Sequence, residues 1–190
     1  MALAAFLWLA WAVERGDTLA WDLTVHNDSP LVASPGLTTF MIVLTQLGSG
    51  WVLWPVGFAA VAWLERRLRR REAVWLAITV VGAFILNEAM KLVFHRPRPQ
   101  PFFGYPAPDT FSFPSGHALN SCCFYLAVAE FLPHKPAART AAIAITALIG
   151  FSRVYLGVHY PTDVIGGYLG AIAWTAAVRA ADPHRGLYSE

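Results

Sequence analysis

An all-α bundle that crosses a membrane about six times is the fold class this sequence predicts, and three observations predict it. Hydrophobic residues make up 56% of the 190-residue chain and charged residues only 14%, with eight tryptophans and twelve phenylalanines. Soluble domains carry about 25% charge, and interfacial aromatics are typical of membrane proteins. Second, several stretches approach the roughly 20 mostly apolar residues that a spanning helix needs. Third, the basic residues are segregated by connection, as orientation in a membrane requires.

The elements follow in order. Residues 2–13 are apolar but too short to cross at about 1.5 Å per residue, so they read as a shortened first span or one lying partly in the interface. The run lacks the basic start and small-residue cleavage site of a secretory signal. Residues 38–64 form the next span, interrupted by Gly48, Gly50 and Pro55, which predict a kink. Residues 73–94, 140–158 and 164–181 are further spans. Residues 118–132 are shorter, with Glu130 as the single charge. The whole chain, 1–190, reads as one integral-membrane domain. Cys122 and Cys123 are adjacent within an apolar run, which suits small buried hydrophobes and neither a relaxed disulfide nor a metal-ligand spacing.

If the spans alternate, nine basic residues share one side: Arg66, Arg67, Arg69, Arg70, Arg71, Lys135, Arg139, Arg179 and Arg185. That side should be the cytoplasm. The opposite side receives Asp17, Asp22, Asp28 and three polar clusters: KLVFHRPRP (91–99), PSGH (114–117) and SRVYLGVHYPTD (152–163). Lys91, Arg98 and Arg153, exceptions to the charge rule, all belong to those clusters.

Each cluster offers parts of a phosphate site. Lys91 near a helix end and Arg98 held between Pro97 and Pro99 bring an ammonium and a guanidinium together, a pair suited to a phosphate dianion; snorkelling side chains are the plain alternative. Ser115 stands at the N-cap of a helix, leaving the N–H groups of Gly116 and His117 at its positive end, where an anion is favoured. His117 there can donate a proton to a leaving oxygen, or be incidental to a capping motif. His159 and Asp163 lie four apart, so the carboxylate can reach the imidazole and leave its other nitrogen free as a nucleophile. Asp163 is also explained by the helix dipole alone. Ionisable groups gathered at one membrane face point to function.

Taken in order, the clusters resemble the three motifs of the type 2 phosphatidic acid phosphatase superfamily. These are a lysine, six residues and Arg-Pro; then Pro-Ser-Gly-His; then Ser-Arg, five residues, His, three residues and Asp. Every fixed position is filled, and the ordered triple is far more specific than any single motif. The likeness runs from about Asp22 through residues 166–174, and TQLGSG with Gly48 and Gly50 also looks like a family feature. The resemblance implies that His159 is the nucleophile that becomes phosphohistidine, with Asp163 orienting it. It implies that His117 is the acid and later the base. Lys91, Arg98, Ser115, Gly116 and Arg153 are the implied phosphate cradle, with no cofactor and no metal.

The expectation is a bacterial inner-membrane enzyme with its site facing the exterior and a phosphorylated lipid as substrate, with no nucleic-acid partner. Phosphatidylglycerophosphate, phosphatidate and undecaprenyl pyrophosphate are the candidates. A binding or transport protein using the same cradle, without chemistry, is the alternative from another class. Glu88, three residues before Lys91, reads as its ion-pair partner. His95 and Arg96 are expected at lipid headgroups. Phe102, Phe103, Tyr105, Phe111 and Phe113 are expected either to wedge into the interface and screen the site or to form an aromatic belt.

Overall fold

A computed structural model describes residues 1–181, so Arg185 lies outside the described residues. The described chain is all-helical: α1 (Ala2–Glu14), α2 (Leu19–Asp28), a 3₁₀ turn (Ser29–Val32), α3 (Pro35–Gln46), α4 (Gly50–Arg66), α5 (Arg70–Phe94), α6 (Gly116–Ala129), α7 (Lys135–Tyr155) and α8 (Pro161–Ala181). Three helices, α5, α7 and α8, are long and apolar enough to cross a membrane, and α3 with α4 makes a fourth crossing broken by a 42° bend. The six expected crossings are therefore four elements of full length plus the shorter apolar helix α1 and the 14-residue α6, packed in the same bundle.

The bend falls between α3 and α4, at residues 47–49, whereas Pro55 is absorbed within α4. Carbonyls released by the break find donors: Tyr125 Oη reaches Leu47 O at 2.8 Å and Ser49 Oγ reaches Gln46 O at 2.7 Å. Gly48 is needed because a Cβ there would stand 2.6 Å from Ile149 Cγ2 and 3.2 Å from His117 Cδ2. The break thus brings the chain against α7 and the first turn of α6.

Helix α6 is the central element, enclosed by α5, α7, α8 and α4. Enclosure explains how a 14-residue helix tolerates buried Asn120 and Ser121 beside the free, buried Cys122 and Cys123. Lipid does not contact its buried face, so its composition need not match a lipid-exposed span.

The two ends of the bundle differ in charge as expected. At one end Glu130 receives Arg139 at 2.8 Å and Arg179 at 2.9 Å, while Arg179 lies over Trp75 and Arg69 over Phe131. At the other end converge the C-termini of α5 and α7, the N-termini of α6 and α8, and helix α2. Helix α1 lies along α8, with Phe6 stacked on Phe113 and edge-on to Phe94.

The aromatic segment is largely internal. Phe113 is fully buried, Phe102 stacks on His26 at 4.4 Å between centroids, and Tyr105 Oη accepts from Arg153. Phe103, 41% exposed, is the member that keeps a large free face. Phe113 packs against α1 and Phe102 against α2, so these two rings belong to the interior of the bundle and to neither a belt nor a wedge.

Candidate active site

Helix α5 ends at His95 in the left-handed region, φ 45°, which turns the chain sharply into the Pro97–Pro99 segment. His95 itself is exposed, its ring against Phe111. The rigid segment then carries Arg98 across the site end. Its guanidinium is held by the carbonyls of Thr110, Phe111 and Val158 and by Thr110 Oγ1. From Nη1 it also donates to His159 Nε2 over 2.9 Å.

That bond fixes the state of the imidazole. A guanidinium only donates, so Nε2 must present its lone pair and the proton must sit on Nδ1. Nδ1 faces Asp163 Oδ2 at 3.4 Å and Ser112 Oγ at 3.4 Å. His159 lies in the connection between α7 and α8, where Gly157 at φ +71° allows the turn and Phe102 and Gln100 O leave no room for a side chain. Burial drives the His159 pKa down to about 3, aided by the charges of Arg98 and Arg153 and opposed by Asp163. The ring is therefore neutral at physiological pH, its Nε2 unprotonated and its lone pair taken up by the bond from Arg98. Burial and the neighbouring Arg153 also lower Arg98 to about 10, which leaves it charged at neutral pH.

Asp163, in the first turn of α8, is fully buried and fully bonded. Oδ2 accepts from Ser112 Oγ and from the Tyr160 N–H at 2.8 Å. Oδ1 accepts from Arg96 Nη1 at 2.6 Å. Arg96 is thus not at the headgroups as expected: it is buried and bridges to Asp22 Oδ2 at 2.7 Å, its guanidinium over the Tyr160 ring at 4.5 Å. Burial alone would lower the Arg96 pKa, but Asp163 and Asp22 outweigh it and the net shift is upward. Asp22 also accepts from Thr162 Oγ1, Thr162 N and Thr18 Oγ1.

The PSGH turn is pinned from two sides. Ser115 N donates to Asp163 O at 2.9 Å, and Asn87 Nδ2 on α5 donates to Pro114 O at 3.3 Å. Ser115 occupies the N-cap position of α6, yet its side chain makes no capping bond. Its Oγ is buried without a protein partner, as are Asn87 Oδ1 and Arg153 Nε. Gly116 has no space for a side chain, since a Cβ would stand 2.8 Å from Asn87 Oδ1, with Lys91 Nζ at 3.7 Å.

Lys91 Nζ pairs with Glu88 at 2.9 Å and reaches Thr110 Oγ1 at 3.4 Å, so the expected ion pair is present. Arg153 donates to Thr45 Oγ1 and Tyr105 Oη. The positive charges acting on His117 are those of Arg153, Lys91 and Arg98, which places the histidine beside the three cations of the expected cradle. All eight residues singled out in the sequence, from Lys91 to Asp163, therefore meet at one end of the bundle. Asp22, Arg96, Thr110, Ser112 and Thr162 join them without having been expected as site residues.

Residues 72–186 match the model of the PAP2 superfamily. The chain belongs to that superfamily. It is 32% identical over 171 residues to phosphatidylglycerophosphatase B of Bacillus subtilis (86% of this chain, 84% of the relative). It is 35% identical over 138 residues to an undecaprenyl-diphosphatase of Sulfolobus acidocaldarius (70% of this chain, 65% of the relative). The crystal structure of a transmembrane PAP2-type phosphatidylglycerolphosphate phosphatase from Bacillus subtilis superposes with a TM-score of 0.87, at 30% identity, covering 94% of this chain and 92% of that one. The PAP2 chain described here is accordingly an integral-membrane phosphatase.

Proposed function

We propose that this PAP2 protein hydrolyses a phosphate monoester or pyrophosphate on a membrane lipid through a phosphohistidine at His159. The observation that carries the reading is the neutral His159, whose Nε2 lone pair faces the guanidinium of Arg98 while Asp163 stands behind Nδ1. Arg98 Nη1 exchanges its bond to Nε2 for one to a phosphate oxygen, the freed Nε2 lone pair attacks phosphorus, the P–O bond to the lipid breaks, and the departing oxygen takes a proton from His117. A water molecule then attacks the phosphohistidine, His117 accepts its proton, and the Nε2–P bond breaks to release phosphate and restore the ring.

Charge on the transferring phosphoryl group is met by Lys91, Arg98 and Arg153, by the N–H groups at the start of α6 around Gly116, and by Ser115 Oγ. Preorganised donors of this kind act where charge develops and need no reorganisation during the reaction. Asp163 holds the tautomer and offsets the positive charge that the ring gains on phosphorylation.

Phosphatidylglycerophosphate leads the substrate candidates, ahead of undecaprenyl pyrophosphate and phosphatidate, because a relative covered to 84% of its length and a solved structure with a TM-score of 0.87 carry that name. Placement of the arginine-rich end in the cytoplasm puts the site on the exterior face. The test is phosphate release from these three lipids by purified protein in detergent with EDTA, beside His159→Ala. Release that vanishes in the variant supports the reading. Binding of the lipids by folded wild type without release would favour a transport or binding role instead.

A further inference from the structure

The mechanism above uses one carboxylate, but two are buried at the site end, and the second has no role in it. Asp22 is 0% exposed and Asp163 is 0% exposed, with Arg96 between them. Two buried carboxylates and one guanidinium are costly to remove from water and persist only when fully hydrogen-bonded. Here they are. Arg96 spends Nη2 on Asp22 and Nη1 on Asp163 and Thr162 Oγ1, and Thr162 Oγ1 in turn donates to Asp22.

We infer that Asp22, acting through Arg96, is a positioning residue for the His159–Asp163 pair. This inference rests on the phosphohistidine reading of the site. The first part of the argument is steric. Asp163 Oδ2 must face His159 Nδ1; Ser112 Oγ and the Tyr160 N–H hold that oxygen, and rotation about Cβ–Cγ is closed off once the other oxygen is held as well. Arg96 holds Oδ1, and Arg96 is itself kept from swinging by Asp22 and by the Tyr160 ring at 4.5 Å.

The second part is electrostatic. Alone, Arg96 would neutralise Asp163, and no net negative charge would remain behind Nδ1. His159 would then gain positive charge on phosphorylation while facing Arg98, with Lys91 and Arg153 near by. With Asp22 present the trio carries a net charge of about −1, so the carboxylate retains its power to stabilise the charged ring. Outer partners of this type, which orient a functional imidazole–carboxylate pair, matter about 10- to 100-fold in metal sites built on the same logic.

The test compares kcat and KM for phosphate release from phosphatidylglycerophosphate in detergent, for wild type, Asp22→Asn, Asp163→Asn and the double variant, each checked for its thermal unfolding midpoint. Asp22→Asn should lower kcat by about 10- to 100-fold with KM within about twofold. Added to Asp163→Asn it should cost less than about twofold more, because its path runs through that carboxylate. Should Asp22→Asn fail to fold, Thr162→Val takes its place, with an expected loss of about three- to tenfold in kcat that Thr162→Ser restores. Unchanged kcat in a folded Asp22→Asn or Thr162→Val protein overturns the inference, as does a loss that is fully additive with Asp163→Asn. Wild type without turnover, or His159→Ala with turnover, overturns the reading of the mechanism and this inference together; an active wild type matched by Asp22→Asn overturns the inference alone.

Discussion

Arg98 donates directly to the Nε2 of His159 at 2.9 Å, so a cation of the site and the reactive nitrogen share one small volume. The same guanidinium is tied to the carbonyls of Thr110, Phe111 and Val158. It forms the wall of the site on the side on which phosphate must arrive, and its Nη1 must pass from Nε2 to a phosphate oxygen before the ring can attack.

Lysine cannot reproduce that wall. A lysine has three donors on a flexible stem and no planar fork, so Arg98→Lys should lower kcat/KM by about 10²-fold. Steady-state phosphate release measures this, and a variant within about threefold of wild type would show that position 98 needs charge alone.

Asp163→Asn should lower kcat far more than it raises KM, by about 10³-fold, since the amide favours the wrong tautomer of His159. Loss confined to KM would instead assign Asp163 to substrate binding.

The depressed pKa of His159 has a consequence for stability. The unfolded chain binds a proton at this residue below about 6.5, whereas the native ring resists it down to about 3. Below about pH 6.5 the unfolded state therefore gains protons that the native state lacks, and His159 makes the protein progressively less stable as pH falls. His159→Gln lacks that liability. Unfolding midpoints from pH 7 to pH 4 should shift in favour of the variant on acidification; parallel curves would argue against a neutral buried ring.

Gly167 tests the packing beneath the PSGH turn. A Cβ there would lie 2.8 Å from Ser115 O and 3.1 Å from Leu119 N, both backbone atoms that cannot step aside cheaply. Gly167→Ala should destabilise the protein by about 1–3 kcal/mol and lower activity through displacement of Ser115. A calorimetric midpoint equal to that of wild type would mean that α6 and α8 separate at no cost.

Glu88→Gln should be mild. The Glu88 side chain is 60% exposed, and such pairs contribute about 0–1 kcal/mol, so kcat should stay within about threefold. A large loss would mean that Glu88 does more than pair with Lys91.

What the sequence made legible follows the reach of each signal. Hydropathy and arginine placement are local and additive, so they identify the crossings, the charged end and the opposite site end. Fixed spacing made the three motifs readable, and Glu88 was legible from helix geometry. Arg96 was not. It neighbours Pro97 in an exposed-looking loop, and its partner Asp22 lies 74 residues away, linked by no periodicity. Ser115 was correctly placed at the start of α6, but capping was the wrong role for its side chain, because Asp163 O and Asn87 hold the turn in its stead. The aromatic segment misled for a related reason: composition marks Phe102 and Phe113 as apolar without saying that α1 and α2 cover them.

The family match spans residues 72–186, and every motif residue falls inside it. Asp22 and helix α1 do not. A shortened chain holding only the matched region would keep the full signature yet strip Arg96 of one of its two carboxylates and bare the α8 face that α1 covers. The span of the family signature and the set of residues that brace the His159–Asp163 pair are different boundaries in this molecule. Anyone transplanting its chemistry into another bundle must carry across a stretch that no signature would tell them to keep.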